Sequence, residues 1–140
     1  MKPDMLRGVL AASVTPLDAT GQVDEGAVGA LMDYYADSGL RGAFFPSSTG
    51  EYFALSPTQR QACVRAAGRR KGGNMTLLAN VSDGCLETAL ESAKAARDLG
   101  ADAAVMMPPQ FYALTQDELY GFFVRAAEKA PLPMIVYNHM

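Results

Sequence analysis

Short apolar runs alternate along this chain with longer stretches in which apolar residues recur every three or four positions. The short runs lack polar alternation, which predicts strands buried on both faces of a parallel sheet. The longer stretches have helical periodicity and predict crossover helices between those strands. The predicted strands cover residues 9–14, 42–45, 76–81, 103–107 and 134–137, and the predicted helices cover 24–38, 56–71, 86–99 and 115–129.

Two of the predicted helices begin with a complete capping signal. Ser56 stands in the N-cap position, a proline follows it, and Gln59 completes a capping box. Thr115 and Glu118 form the same pattern at the start of the fourth helix. These local signals place helix starts after the second and fourth strands.

The predicted strands start about 30 residues apart, which is the size of a βαβ unit and indicates an α/β fold. Two architectures fit. A five-stranded doubly wound, flavodoxin-like sheet needs no more than these 140 residues, whereas an eight-stranded barrel typically needs ~250. Because part of a barrel would leave open edges and apolar faces, the pattern alone favours the complete small domain. Strand order separates the two, since a barrel segment runs 1-2-3-4-5 and a flavodoxin-like sheet runs 2-1-3-4-5.

Composition and charge narrow the functional classes. The net charge of -3 and the pI of about 5.0 come without a basic patch, which argues against nucleic-acid and anionic membrane partners. A single histidine, and two cysteines (Cys63 and Cys85) without CxxC spacing, predict reduced thiols and no metal site. With no signal-peptide pattern and no membrane-length apolar run, we expect a cytoplasmic protein.

The candidate chemistry lies in the segment 47–51, which follows the second predicted strand. Ligands bind at the carboxyl ends of strands in α/β proteins, and hydroxyls with free N–H groups suit a small carboxylate. Gly50 permits a tight turn, and Tyr137 ends the fifth strand, where a phenol can relay a proton. Glu51 is expected to be a capping carboxylate. The simpler alternatives are a polar loop and a strand-end tyrosine whose hydroxyl lies in water.

A set of motifs, in order and spacing, resembles the N-terminal half of the dihydrodipicolinate synthase / N-acetylneuraminate lyase family. The motifs are Gly8 to Leu17, Gly21 and Asp24, Ser48-Thr49-Gly50-Glu51, Leu55-Ser56, Leu99-Gly100-Ala101-Asp102, Pro108-Pro109, Tyr112, and Leu132 to Asn138.

The resemblance reverses the preference for a small complete domain. It implies a (β/α)8 TIM barrel of class I aldolases and lyases, with residues 1–140 as the N-terminal part of a single barrel domain that lacks strands six to eight. It also implies pyruvate or another 2-oxo acid as substrate, bound as a lysine Schiff base, and an aldehyde co-substrate. No metal or organic cofactor is expected. A homo-oligomer, a tetramer in the family, is expected.

The same resemblance assigns roles to individual residues. Ser48 and Thr49, in the turn with Gly50, would hold the oxo-acid carboxylate, and Thr49 would hydrogen-bond Tyr137. Tyr137 would be the proton shuttle. Tyr112 is the candidate for a second relay tyrosine, although counting back from Thr115 places that role at the neighbouring Phe111.

The chain also departs from the family pattern. Ser47 stands where glycine is common, and His139-Met140 replaces the usual continuation after the shuttle tyrosine. The family's Schiff-base lysine follows strand six, and none of the four lysines present (Lys2, Lys71, Lys94 and Lys129) is predicted at a strand's carboxyl end. We therefore expect this chain to be inactive alone. The alternative is a non-catalytic truncated fragment or a small 2-oxo acid binding domain, and the aldehyde or sugar-acid substrate stays open.

Overall fold

The computed structural model describes residues 6–138, in which strands and helices alternate. The strands are β1 Leu10–Ala12, β2 Gly42–Phe45, β3 Thr76–Asn80, β4 Ala103–Met106 and β5 Met134–Val136. The helices are α1 Glu25–Asp37, α2 Pro57–Arg70, α3 Leu86–Asp98 and α4 Gln116–Lys129, with a short 3-10 turn at Tyr52–Ala54 before α2.

The five strands form one sheet in the order β1-β2-β3-β4-β5, and every neighbouring pair is parallel. Each strand therefore pairs with the next one in the chain. A flavodoxin-like sheet would place β1 between β2 and β3, so the doubly wound sheet that the pattern alone favoured is wrong. The sheet has the order of five successive units of a (β/α)8 barrel, as the motifs predicted.

Two apolar clusters lie on opposite faces of this sheet, which explains why the strand runs are continuously apolar. The larger cluster packs the sheet against the helices and includes Phe45, Leu77 and Met106. The smaller cluster lies on the face away from the helices, called the inner face below, and is built from Phe44, Leu78, Ala103 and Val105. Four partly buried residues pack against it: Leu6, Leu10, Ile135 and Tyr137. The helix side is therefore a complete core, while the inner face stays partly open.

Four strands end earlier than predicted, and at the ends of β3 and β4 side chains enter the hydrogen-bonding pattern. β4 stops at Met106, since the Met107 N–H donates to the Ser82 hydroxyl at 2.8 Å. β3 stops at Asn80, whose Oδ1 accepts from the Ser82 N–H at 2.9 Å and so forms a turn. β1 is also shorter than predicted, and β5 ends one residue before Tyr137.

The predicted helix starts are confirmed. The hydroxyl of Ser56 accepts from the Gln59 N–H, and the Gln59 side chain accepts from the Ser56 N–H at 2.9 Å. Thr115 and Glu118 form the second capping box at the start of α4. Both motifs are local, which is why the sequence predicts them well.

An ion pair lies at the end of the sheet where the parallel strands begin. Lys71, just after α2, donates to both carboxylate oxygens of Asp102 at 2.8 Å and to the carbonyl of Gly100 at 3.0 Å. Asp102 also accepts from the backbone N–H of Leu77 at 2.8 Å. The Leu99 to Asp102 motif thus connects α3 and β4 to β3, at the end of the sheet opposite the candidate site.

Replacing Asp102 with alanine is expected to lower the free energy of unfolding by about 1–3 kcal/mol, because the Leu77 N–H loses its acceptor and the half-buried ammonium of Lys71 loses its charged partner. Urea unfolding of the chain measures this. Asp98→Ala is the matched control, since it removes only an exposed pair with Arg97 and should cost under about 1 kcal/mol. Equal losses for the two variants would contradict the assigned role of Asp102.

Candidate functional site

The segment after β2 folds into a tight turn that uses up most of its own backbone donors. The N–H groups of Gly50 and Tyr52 donate to the Ser47 carbonyl at 3.1 and 3.2 Å, and the Glu51 N–H donates to the Ser48 carbonyl at 3.0 Å. Between residues 6 and 138, the N–H groups of Ser48 and Thr49 find no such acceptor. Ser48 is half-buried and Thr49 is exposed, so two adjacent N–H groups and two hydroxyls remain available to a ligand.

Glu51 occupies the left-handed region of backbone space, with φ of 53°. It is the one non-glycine residue with positive φ among those described, and such conformations are concentrated at functional turns. Its backbone stands at the N-cap position of the turn Tyr52–Ala54, but its carboxylate makes no capping bond. The expectation of a capping carboxylate is therefore wrong. The exposed side chain instead borders the cavity at this edge.

Gly50 is held against the segment that follows β1. Its N–H also donates to the Ser47 hydroxyl at 3.2 Å, and its carbonyl accepts from the Thr15 hydroxyl at 2.8 Å. A Cβ at Gly50 would lie 2.6 Å from the Thr15 hydroxyl oxygen and 2.7 Å from the Ser13 carbonyl oxygen. Glycine is thus required here by close packing against a neighbouring backbone.

A cavity of about 440 Å³ opens between this turn and the loop after β1. Thr15, Thr49, Gly50, Glu51 and Gln59 contribute polar groups to its wall, and Leu17 and Leu55 contribute apolar ones. Its size lies within the range of small-ligand pockets. Thr49 lines this space, whereas Ser48 and Tyr137 do not.

Tyr137 follows β5 at the same edge of the sheet as the turn after β2. Its N–H donates to the Met106 carbonyl at 2.9 Å, which extends the β4–β5 pairing by one bond. Its half-buried ring packs on the inner face against Phe44, with ring centroids 6.0 Å apart. The Tyr137 ring thus reaches across the inner face to Phe44 on β2, the strand that precedes Ser48 and Thr49, and the Thr49–Tyr137 hydrogen bond stays a prediction.

Tyr112 and Phe111 lie in the loop between β4 and α4. Both are exposed, at 71% and 87%, and their rings meet edge to face with centroids 4.9 Å apart. Phe111 borders a separate cavity, with Tyr52 and Ser82, rather than the one lined by Thr49. Which of the two aromatic residues serves as a relay stays open, and the relay role of Tyr112 stays a prediction.

Sequence reasoning missed the burial of polar residues beneath the site. Ser13 and Ser47 are fully buried, and their hydroxyls bond to backbone groups around the turn. Asn80, at the end of β3, is 6% exposed, and its Nδ2 has no hydrogen-bond partner in the described part of the chain. The signal available in the sequence was a polar residue, Ser13 or Asn80, inside an apolar run. Assigning each run to a strand left that polar residue unexplained.

The described lysines lie away from this edge. Lys71 pairs with Asp102 at the opposite edge of the sheet, and Lys94 and Lys129 are exposed on α3 and α4. Lys2 and His139 lie outside the described residues. Residues 6–138 contain no group of three or more metal-ligating side chains, and no helix among them has the length and apolar character that a membrane crossing requires.

Known proteins resemble this chain along almost its whole length. The model of the Dihydrodipicolinate synthetase family matches residues 5–139. The 4-hydroxy-tetrahydrodipicolinate synthase of Pseudomonas putida (strain W619) is 31% identical over 134 residues, which cover 96% of this chain and 46% of that protein.

The same holds for solved structures. YagE, a prophage protein of the dihydrodipicolinic acid synthase family from E. coli K12 crystallised with pyruvate, superposes with a TM-score of 0.87 at 27% identity, over 94% of this chain and 44% of that one. N-acetylneuraminate lyase from Mycoplasma synoviae gives 0.86 at 25% identity, over 97% and 47%. The chain therefore spans about half the length of the relatives it matches. With its sequential parallel strands and its hydroxyl-rich turn after β2, the chain belongs to the dihydrodipicolinate synthetase family.

Proposed function

We propose that this chain supplies the 2-oxo acid binding and proton-relay part of a class I lyase or aldolase, which acts on pyruvate or a related 2-oxo acid through a lysine Schiff base. The observation that carries the proposal is the pair of unused N–H groups at Ser48 and Thr49, in a turn that shares its sheet edge with Tyr137. Membership of the family and the pyruvate bound to YagE support the choice of ligand.

The first step is carboxylate binding at the turn. The Ser48 and Thr49 N–H groups and hydroxyls donate to the two carboxylate oxygens, which removes most of the anion's need for water. Such bonds to an ionised group are about twice as strong as neutral ones. They hold the keto carbon of the substrate above the open inner face, with the methyl group free to react.

The second step is proton transfer by Tyr137. A lysine amine adds to the keto carbon, the carbinolamine loses water as its oxygen takes up a proton, and the resulting imine loses a C3 proton to give the enamine. The Tyr137 phenol, placed at the end of β5, donates the proton that leaves with the carbinolamine oxygen as water, and the resulting phenolate takes up the C3 proton that the imine releases. The enamine then adds to an aldehyde, or forms in reverse when a carbon–carbon bond is cleaved.

No described lysine lies at this edge, so the proposal assigns the Schiff base to a part of the barrel outside residues 6–138. The domain is accordingly proposed to be the first five units of one TIM barrel. The resemblance further supports a homo-oligomer with no metal or organic cofactor, and a cytoplasmic location belongs to the same proposal.

Tyr137→Phe in the protein at its native length is expected to slow enamine formation by a factor of about 10² to 10⁴, because the ring stays packed on Phe44 while the transferable proton is lost. The measurement is exchange of the pyruvate methyl protons for deuterium, followed by NMR. Tyr120→Phe, an exposed position on α4, should leave the rate unchanged. Unaltered exchange in the Tyr137 variant would remove the proton-shuttle role.

A second candidate is a non-catalytic fragment that binds a 2-oxo acid or only assembles with another chain. It is favoured by the open edges of the sheet, since β1 and β5 each pair with one strand only among the described residues. Val136 on β5 is also 51% exposed. A native protein that binds pyruvate but neither exchanges its methyl protons nor forms an imine would favour this candidate.

A further inference from the structure

A buried chain of hydrogen bonds runs from helix α1 to the turn after β2. The Tyr35 hydroxyl on α1 lies 3.0 Å from the Ser13 hydroxyl. The Ser47 hydroxyl donates to the Ser13 carbonyl at 2.8 Å and accepts from the Gly50 N–H at 3.2 Å. Ser13 and Ser47 are both completely buried.

The number of protons limits the direction of each bond. The Ser13 hydroxyl has one proton: where it goes to the Val14 carbonyl at 3.0 Å, the Tyr35 hydroxyl is the donor in their shared bond, and otherwise Ser13 donates to Tyr35. The Ser47 proton points to the Ser13 carbonyl, which leaves its lone pairs for the Gly50 N–H. In either arrangement the Ser13 and Ser47 hydroxyls have hydrogen-bond partners, and such satisfied buried networks make their surroundings rigid.

The network holds Gly50 on both sides of its backbone. Its N–H is held by the Ser47 hydroxyl and carbonyl, and its own carbonyl is held by the Thr15 hydroxyl. With Gly50 fixed, the Ser48 and Thr49 N–H groups are the ones that the turn leaves unused. The contacts below the turn therefore hold the residue that directly follows these two N–H groups.

We propose that Tyr35, Ser13 and Ser47 are positioning residues that hold the Ser48–Thr49 turn in its carboxylate-binding shape before the 2-oxo acid arrives. The inference rests on the proposed function of that turn. Pre-organisation of this kind improves binding, because the ordering of the loop is completed in the free protein. It should therefore affect the affinity for the 2-oxo acid far more than the chemical step.

The test is Ser47→Ala in the protein at its native length. Pyruvate KM is expected to rise about tenfold with kcat within about twofold of wild type, which corresponds to the loss of one or two hydrogen bonds. Hydrogen exchange at the Gly50 amide, read by mass spectrometry of the peptide that contains it, should become faster. Tyr35→Phe keeps the ring and should produce the same changes with a smaller amplitude.

Tyr34→Phe is the matched control, since the neighbouring Tyr34 is 65% exposed and lies outside the network. This variant should change neither the KM for pyruvate nor hydrogen exchange at the Gly50 amide. In the double variant of Ser47 and Tyr35, the KM effects should combine to less than their product, as expected for coupled residues.

Two outcomes would overturn the inference separately from the proposed function. Unchanged Gly50 exchange in Ser47→Ala would show that the network does not hold the turn, whatever the ligand. Faster exchange at the Gly50 amide with an unchanged KM for pyruvate would show that the shape of the turn does not affect binding of the 2-oxo acid. A wild-type protein with no affinity for pyruvate would overturn the proposed function and the ligand assigned to the turn, while the exchange data would still decide whether the network anchors Gly50.

Discussion

Borohydride reduction with pyruvate is expected to leave the 140-residue chain unmodified and to attach one reduced pyruvate to the protein isolated from its native source. The reason is the placement of the amines. A Schiff-base lysine needs desolvation beside the ligand to lower its pKa. Lys71 is instead paired with Asp102 at the opposite edge of the sheet, and Lys94 and Lys129 are exposed on helices.

Intact-mass spectrometry reads this result directly. Reduction without pyruvate controls for background mass, and peptide mapping of the native protein should place the adduct on a lysine outside residues 6–138. A pyruvate adduct on the 140-residue chain would contradict the expected inactivity of that chain. An unmodified native protein would contradict Schiff-base chemistry altogether and favour the non-catalytic candidate.

Replacing Gly50 with alanine is expected to abolish most pyruvate affinity at native length. The new Cβ would lie 2.6 Å from the Thr15 hydroxyl oxygen, 2.7 Å from the Ser13 carbonyl oxygen and 3.2 Å from the Thr15 backbone nitrogen. Two of these three atoms belong to the backbone and cannot rotate away, so the turn itself must shift. A displacement of about 1 Å in a positioning element reduces activity on the order of 10²-fold.

The measurement is kcat/KM for methyl-proton exchange of pyruvate, together with urea unfolding of the same variant. Overpacking of this kind costs about 1–3 kcal/mol of stability, so the variant should remain folded if the native protein has ordinary stability. Gly84→Ala in the loop after β3 is the matched control, because a Cβ there meets no atom within 4 Å. Comparable kcat/KM for the two variants would show that the Gly50 turn does not bind the substrate.

The predictable part of the fold consists of what neighbouring residues decide among themselves. Ser56 with Gln59, and Thr115 with Glu118, cap their helices through bonds that span three residues. The strand centres were equally clear, because both faces of a parallel sheet are buried and each strand becomes one apolar run. The strand ends were not. Met107, for instance, leaves β4 because its N–H bonds to a hydroxyl 25 residues away, at Ser82.

The candidate site shows the same division. The hydroxyl-rich turn and the tyrosine after β5 stood out in the sequence, because strand ends in α/β proteins gather polar residues for ligands. The hydrogen bonds that hold this turn in place could not be predicted from the sequence. Tyr35, Ser13 and Ser47 read as parts of a helix, a strand and a loop, and their bonds span 22 and 34 residues.

From its own residue pattern the chain specifies five strands, the four helices between them and a polar segment after the second strand, because each of these depends on short-range periodicity and local hydrogen bonds. Pattern and length alone favoured the wrong strand order, that of a doubly wound sheet. The order β1-β2-β3-β4-β5 and the buried network under Gly50 arise only when distant segments pack together. Such pairings are selected by the burial of both sheet faces and by the need of each buried hydroxyl for a partner, and neither is visible in a single stretch of sequence.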